Sequence, residues 1–498
     1  MKNLLSSDQM READAYTIKH EPILSLALME RAAVAFTEVF KRDFPDKSKS
    51  IAILCGPGNN GGDGLAIGRI LHSKHHKYEN ISVYLINFSG KQSDDYSENL
   101  EHLPKLIKRF TVTEPSQLKA LKADLIIDAI LGSGLNKPLA GKYADLTGLI
   151  NNLNKTIIAV DVPTGFPSED PIHENYKGIK ASLTISFQRP KINFFFPESA
   201  LALERFEVVD IGLDEDFIER QQSDWKLNNK PSVKQILKLR KNFTHKGTYG
   251  HALIVAGNTT TMGAALLAAR SCLRTGAGLT TVCLPQSGLM ALNATLPEVM
   301  ALPRNEDLAI EAFEKYTSIA IGPGLGITNE SEMILGRLIN LKKPMLLDAD
   351  ALSLLANRKE LFDKLPEQSI LTPHLKEFDR LFGEHQTWWE RVKAAKEQAI
   401  KRKLIIVLKN QYTFICLPDS KVYINQTGNP GMASGGMGDV LTGIIAGLLA
   451  QSYSSEDAAR LAVYIHGKAG DELTPKRFTV SASQVAEQIP KVMKKLAV

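Results

Sequence analysis

Apolar positions recur at helical spacing over residues 7–40. A short apolar run at 51–54 follows and stops in a glycine-rich loop. The pattern then alternates. It predicts a helix over 65–74, a strand at Ile81–Ile86, a helix, a strand at Leu125–Ala129, another helix and a strand at Thr156–Val160, with 210–212 closing the series. The polar, proline-terminated stretch 221–231 reads as a linker. A second alternation follows, with strands at 252–255, Leu279–Leu284, Ser318–Ile321, 344–347, Ile370–Leu371, 405–409 and 413–417. It ends in a glycine-rich turn and a helix over 440–451. Strands alternating with helices imply βαβ units and mostly parallel sheets, so the fold class is α/β. No short-period repeat is present, which excludes a solenoid.

At 498 residues the chain is too long for one core, and two domains, 1–225 and 226–498, are expected. Hydrophobic residues at 44% and charged residues at 23% are ordinary globular values. A net charge of +5 is slight for this length, and the basic stretch from Lys234 to Lys246 lacks the aromatic interleaving of a nucleic-acid surface. No nucleic-acid partner is expected. Cys55, Cys272, Cys283 and Cys416 show no C-x-x-C spacing, which points to reduced, buried thiols of a cytoplasmic protein. Asp8, Glu12 and Asp14 do not suit a leader peptide, and no apolar run approaches membrane length, so no membrane partner is expected.

Two segments carry the chemistry. In Cys55-Gly-Pro-Gly-Asn-Asn-Gly-Gly-Asp-Gly64, between strand and helix, five of ten residues are glycine. Glycine lets backbone amides approach a ligand, and at a helix N-terminus those amides favour phosphate. A turn that needs glycine only sterically would not need Asn59, Asn60 and Asp63. Asp128 and Asp161 each end an apolar strand and belong beside this loop, because ligands of open α/β sheets bind at the carboxyl ends of strands. Either alone reads more simply as a capping residue. Asn60, Asp128 and Thr164 offer oxygen only, a set suited to a hard monovalent cation. The second segment, 425–443, leads through Gly435, Gly436 and Gly438 into a helix headed by Asp439. An aspartate there can take a proton from a hydroxyl while backbone amides hold a transferring phosphoryl group, or it can simply cap the helix. Gly322–Gly326 forms another cradle, the 347–351 stretch puts two carboxylates at a strand end, and His374 and Lys409 follow strands of their own.

GPGNNGGDG, DAILGSGLNKP and DVPTG together resemble the NAD(P)H-hydrate epimerases, also called the YjeF N-terminal family, over about 1–215. The resemblance implies a Rossmann-like three-layer N-terminal domain. It implies potassium held by Asn60, Asp128 and Thr164, with threonine replacing the commoner serine. It implies substrate contacts from Asn59, Asn60, Gly61, Gly62 and Asp63, and from Gly132, Ser133, Gly134, Leu135, Asn136, Lys137 and Pro138. Asp161 would be catalytic. Lys191 falls where that family has a lysine near the site and would be catalytic with Asp161, an ordinary surface lysine being the even alternative.

The 226–498 half resembles the ADP-dependent NAD(P)H-hydrate dehydratases of the ribokinase-like superfamily, which implies a ribokinase-like α/β domain. Carried over, the hydrate site comprises Ala252, Gly324 (or Gly326, with Leu325 contributing backbone), His374 and the catalytic Asp439. Lys409, Asn410, Gln411, Tyr412, Thr413 and Gly438 would hold the adenosine nucleotide, with Asn410 where that family has glycine. The implied function is nicotinamide-nucleotide repair. R and S hydrates of NADH or NADPH are epimerised, and the S epimer is dehydrated with magnesium and ADP as co-substrate to give NAD(P)H, AMP and phosphate. The expected partners are these small molecules, with a homo-oligomeric assembly. Two other readings are an ordinary small-molecule kinase in the C-terminal half and a non-catalytic interaction module in the N-terminal half.

Overall fold

The computed structural model describes residues 2–88, 91–135, 137–305 and 308–498. The substrate residue Asn136 expected from the sequence lies outside them. The chain forms two compact units, one built from Asn3–Ser223 with Thr387–Trp389 and the other from Lys2, Asp224–Gln386 and Glu390–Val498.

The first unit centres on a seven-stranded sheet. Its spatial order is Lys108–Val112, Ile81–Ile86, Ile51–Cys55, Leu125–Ala129, Thr156–Val160, Leu183–Phe187 and Phe206–Val209, and every neighbouring pair is parallel. Side chains alternate between faces along each strand. Ile51, Ile53 and Cys55 pack with Phe36 and Phe40 of the helix Ser25–Asp43, whereas Ala52 and Leu54 pack with Leu146 and Ile150 of the helix Gly141–Asn152. Helices therefore cover both faces, and each fully buried Ile or Leu side chain contributes ~1.5–3 kcal/mol. The chain steps outward in opposite directions from Ile51–Cys55 and Leu125–Ala129. The loops after these two strands flank the switch point, where open sheets form their crevice.

The second unit's strands run Trp225–Asn228, Val422–Asn425, Thr413–Cys416, Ile405–Leu408, Ile370–Leu371, Leu346–Leu347, Ser318–Ile321, His251–Val255, Leu279–Leu284 and Met300–Pro303. Pairing is parallel except around Thr413–Cys416, which is antiparallel to both neighbours. The helices Met262–Thr275, Met437–Ala450 and Ser455–Leu473 share one core with Ala252 and Ile254, while Leu253 and Val255 face another.

Three expectations are corrected. The 7–40 helix is two, Ser7–His20 and Ser25–Asp43, parted at Pro22, whose missing N–H and fixed ring break the ladder. The first phosphate-loop helix starts at Asn59 rather than 65, so the glycine segment is itself the first helical turn. The 221–231 linker is structured. Trp225–Asn228 pairs in parallel with Val422–Asn425, and Asn229 caps a helix, Lys230–Ile236, that carries Pro231 in its first turn.

Cys55, Cys272, Cys283 and Cys416 are buried and free. Burial pushes the thiols of Cys272, Cys283 and Cys416 up to about 12 and that of Cys55 upward as well. Among the described residues no helix is long and apolar enough to cross a membrane.

Candidate active sites

In the first unit, Gly58 precedes the helix Asn59–His72 and the loop folds hard against the next strand's exit. A Cβ on Gly61 would stand 1.7 Å from the Gly56 carbonyl oxygen, and one on Gly56 would stand 1.9 Å from that of Ile130. No side chain fits at either position. Asn60 is buried, lies about van der Waals distance from Gly132, and its side-chain nitrogen has no hydrogen-bond partner. Asp128 is fully buried. Its Oδ2 accepts from the Thr164 backbone N–H at 2.7 Å, and its Oδ1 accepts from the Thr164 hydroxyl at 2.7 Å and the Ile130 N–H at 3.3 Å. Burial raises this carboxyl to about 6, against the pull of the Thr164 bonds.

Asp161 follows the strand Thr156–Val160 with a φ of +62°, a strained conformation for a residue with a side chain. Its Oδ1 receives the Lys191 ammonium at 2.7 Å, the Ser186 hydroxyl at 3.1 Å and the Phe187 N–H at 3.1 Å. Among the described residues no such bond reaches Oδ2, which leaves that oxygen for a ligand. Lys191 is 5% exposed, which removes the alternative of a surface lysine. Asp63 lies within electrostatic reach of Asp161, and its carboxyl is pushed well up, first by burial and then by Asp161, Asp14 and Asp95. Gly132, Ser133 and Leu135 are half-buried along the facing loop, while Lys137 and Pro138 are exposed.

In the second unit, Gly322, Gly324 and Gly326 all take positive φ after the strand Ser318–Ile321. A Cβ on Gly322 would meet the Asp348 carbonyl oxygen at 1.8 Å. The Gly326 N–H donates to Asp350 at 2.7 Å, and the Gly324 carbonyl accepts from the Thr261 hydroxyl at 2.7 Å. Asp348 is 2% exposed and joins two strand ends, because Lys409 donates to its Oδ1 at 2.8 Å and Thr442 to its Oδ2 at 2.7 Å. Burial opposes the charge on Lys409, but Asp348, Glu377 and Asp439 outweigh it and raise the ammonium above its ordinary value. Gly438 lies against this pair, since a Cβ there would stand 3.5 Å from the Lys409 nitrogen.

Asp439 sits inside the first turn of Met437–Ala450, whose cap is Gly436, and among the described residues no hydrogen bond restrains its carboxylate. The capping role is thereby removed. Burial raises Asp439 to about 6, with Asp348 and Asp350 adding to the rise and Lys409 opposing it. His374 caps the helix Leu375–Phe382, with Nδ1 accepting from Lys376 N–H at 3.1 Å and Glu377 N–H at 3.3 Å. Asn410 has no positive φ, so asparagine stands there without the strain that only glycine would relieve. Its side-chain nitrogen is buried and unpartnered.

The matches to known proteins follow this division. Residues 25–193 match the model of the YjeF-related protein N-terminus, and 252–491 match the model of NAD(P)H-hydrate dehydratase. A bifunctional NAD(P)H-hydrate repair enzyme of Moorella thermoacetica is 32% identical, and the alignment covers 99% of this chain and 97% of that one. The chain belongs to the bifunctional NAD(P)H-hydrate repair enzymes. A ribokinase-like superfamily protein of Enterococcus faecalis superposes with a TM-score of 0.52 at 31% identity, covering 56% of this chain and 98% of that one. An ADP/ATP-dependent NAD(P)H-hydrate dehydratase of Bacillus subtilis, co-crystallised with ATP and Mg2+, gives 0.50 at 33% identity, covering 54% and 98%.

Within this repair enzyme, most residues singled out from the sequence converge on two clusters. The structure does not bring Ala252 to either. It lies near the start of its strand, opposite Ser318 and fully buried, whereas the glycine loops gather at the other end beyond Val255. Three further residues spanning that strand put it about 10 Å away. Leu325 is 1% exposed and packs in the core, so only its backbone faces outward. Asn59 and Gln411 are exposed, and Tyr412 and Thr413 half-buried, at their loops. Sequence reasoning gave no role to Ser186, to Thr442, or to His466, whose Nε2 is buried and unpartnered and whose imidazole burial lowers to about 4. Ser186 and His466 lie mid-element without a motif to mark them, and Thr442, although inside the 425–443 segment, sits a turn past Gly438.

Proposed function

We propose that the repair enzyme divides its chemistry between 1–225, which epimerises the hydrates, and 226–498, which dehydrates the S epimer. In the first site Asp161 handles the proton of the substrate hydroxyl. Both conceivable routes, ring opening and loss with return of hydroxide, move a proton at that oxygen, and Oδ2 of Asp161 is the open carboxylate oxygen. Lys191 holds the other oxygen and keeps the carboxylate oriented. Asn59–Asp63, Gly132, Ser133, Gly134, Leu135, Asn136, Lys137 and Pro138 bind the dinucleotide. Potassium is held by Asn60, Asp128 and Thr164. The donor set fits, being one carboxylate with neutral oxygens, and a half-turn of the unpartnered Asn60 amide presents its oxygen. Bound there, the ion supplies fixed positive charge beside the glycine loop.

In the second site Asp439 takes the proton of the hydrate hydroxyl as that oxygen attacks the terminal phosphorus of ADP, and AMP leaves. The ring nitrogen then expels the new phosphate ester as inorganic phosphate, and the resulting iminium loses a proton from the adjacent ring carbon, which restores NAD(P)H. Gly324, Gly326 and His374 border the hydrate, and Lys409–Thr413 with Gly438 border the nucleotide. Among the described residues no group of three His, Cys, Asp or Glu forms a metal site, and Asp348 is committed to Lys409 and Thr442. Magnesium would be carried by the nucleotide phosphates and neutralise their charge. The single observation that carries the assignment is the unrestrained Asp439 carboxylate at a glycine-capped helix start, beside Lys409. Supplied with mixed R and S hydrate, ADP and magnesium, the enzyme restores near-ultraviolet absorbance completely and releases inorganic phosphate. A stable phosphorylated product would identify a kinase instead. The buried thiols suit a cytoplasmic enzyme, and light scattering tests the expected homo-oligomeric assembly.

A further inference from the structure

The helix Ser7–His20 precedes the stretch matched by the N-terminal family model, which begins at 25. One of its faces nevertheless turns to the epimerase site. Ser7, Arg11 and Asp14 are spaced i, i+4 and i+7, a single stripe. The Ser7 hydroxyl donates to the Ser133 carbonyl at 3.0 Å, and the Arg11 guanidinium lies against Gly134. Asp14 continues the stripe inward. It is half-buried and within electrostatic reach of Lys191, Asp161 and Asp63.

We propose that Asp14 is a positioning residue of the epimerase, sharing the Lys191 ammonium with Asp161 and so setting the charge around the catalytic carboxylate. The proposal rests on the epimerase reading of Asp161. Lys191, paired with Asp161 at its strand end, is the cation among groups within electrostatic reach of one another that include Asp14 on the first helix, Asp63 on the glycine-loop helix and, beyond Asp63, Asp95. Arg11, on the same stripe, pairs with Asp8 at the surface. Burial lifts Asp14 to about 6, with Lys191 opposing and Asp161 adding. Above that pH an ionised Asp14 competes with Asp161 for the Lys191 ammonium. Below it, a neutral Asp14 leaves Lys191 to Asp161 alone. The wild-type epimerase rate therefore climbs through a step near pH 6.

The test follows consumption of the R hydrate by the full chain across pH 5–8, with S-hydrate dehydration and thermal melting recorded on the same samples. Asp14→Asn is expected to lower epimerase kcat about tenfold with KM within about twofold, to erase the step near pH 6, to leave dehydration unchanged and to melt no lower than wild type. Asp14→Glu should restore part of the rate and the step. A variant with wild-type rate and an intact step overturns the proposal. So does failure of Asp14→Asn and Asp14→Ser alike to fold, which would make the residue structural. Failure of the wild-type chain to consume the R hydrate would instead count against the epimerase reading.

Discussion

Asp161 and Asp439 are both carboxylates with an oxygen left open in otherwise crowded surroundings, and their separation predicts separable losses. Asp161→Ala should stop consumption of the R hydrate, by at least about a hundredfold, while S-hydrate repair proceeds. Chromatographic separation of the epimers reads both rates at once. Asp439→Asn should do the reverse. The raised Asp439 carboxyl also fixes a pH dependence. It works as a base only when ionised, so dehydratase kcat should fall as pH drops through about 6. The same shift bears on stability. A carboxyl whose folded value lies above its unfolded one is destabilising when ionised, so its penalty is felt at neutral pH and disappears as pH falls below the folded value. Asp439→Asn should therefore melt a few degrees higher at pH 7, the exchange of stability for activity common in active sites. Equal melting temperatures at pH 7 would oppose this. These two residues were legible because each ends a strand or glycine loop. Asp14 was not, since a lone acid on an amphipathic helix has no local signal and only the tertiary fold carries it to Lys191.

At the level of elements, the glycine loop behaves as a packing device as much as a ligand cradle. Gly61→Ala places a methyl inside the Gly56 carbonyl, so the helix start must shift, whereas Gly58 has nothing within 4 Å of a built Cβ. Gly61→Ala should abolish epimerisation and lower the melting transition of the first unit by several degrees. Gly58→Ala should melt as wild type. Calorimetry distinguishes the two. Legibility follows burial in the same way. Strands such as Leu125–Ala129 and Leu279–Leu284 are buried on both faces or nearly so, and their continuous apolar runs mark them. Lys108–Val112 is an edge strand exposed over most of its length, and Leu183–Phe187 buries Thr184 and Ser186 beside the site. Neither leaves an apolar run to read. Trp225–Asn228 was taken for linker because its partner, Val422–Asn425, lies almost two hundred residues away.

For the whole molecule, the potassium reading separates the two activities by solution conditions rather than by mutation. Replacing potassium with a large organic cation at constant ionic strength should weaken epimerisation, while magnesium-dependent dehydration of purified S hydrate stays level. If both activities respond alike, the effect is ionic strength and the Asn60–Asp128–Thr164 cluster holds no ion. The sequence carried the division into two nucleotide sites because each site's motifs lie at strand ends within one half.

The four interior thiols give the molecule an unplanned reporter. Cys55 alone belongs to the first unit, while Cys272, Cys283 and Cys416 belong to the second. All are held protonated and out of reach, so an alkylating reagent finds none in the native state. Under pulsed labelling in rising denaturant, intact mass should step by one adduct when the first unit opens alone and by three when the second does. A single jump of four would mean that the halves open together. The adduct count thus orders the two openings without a spectroscopic probe.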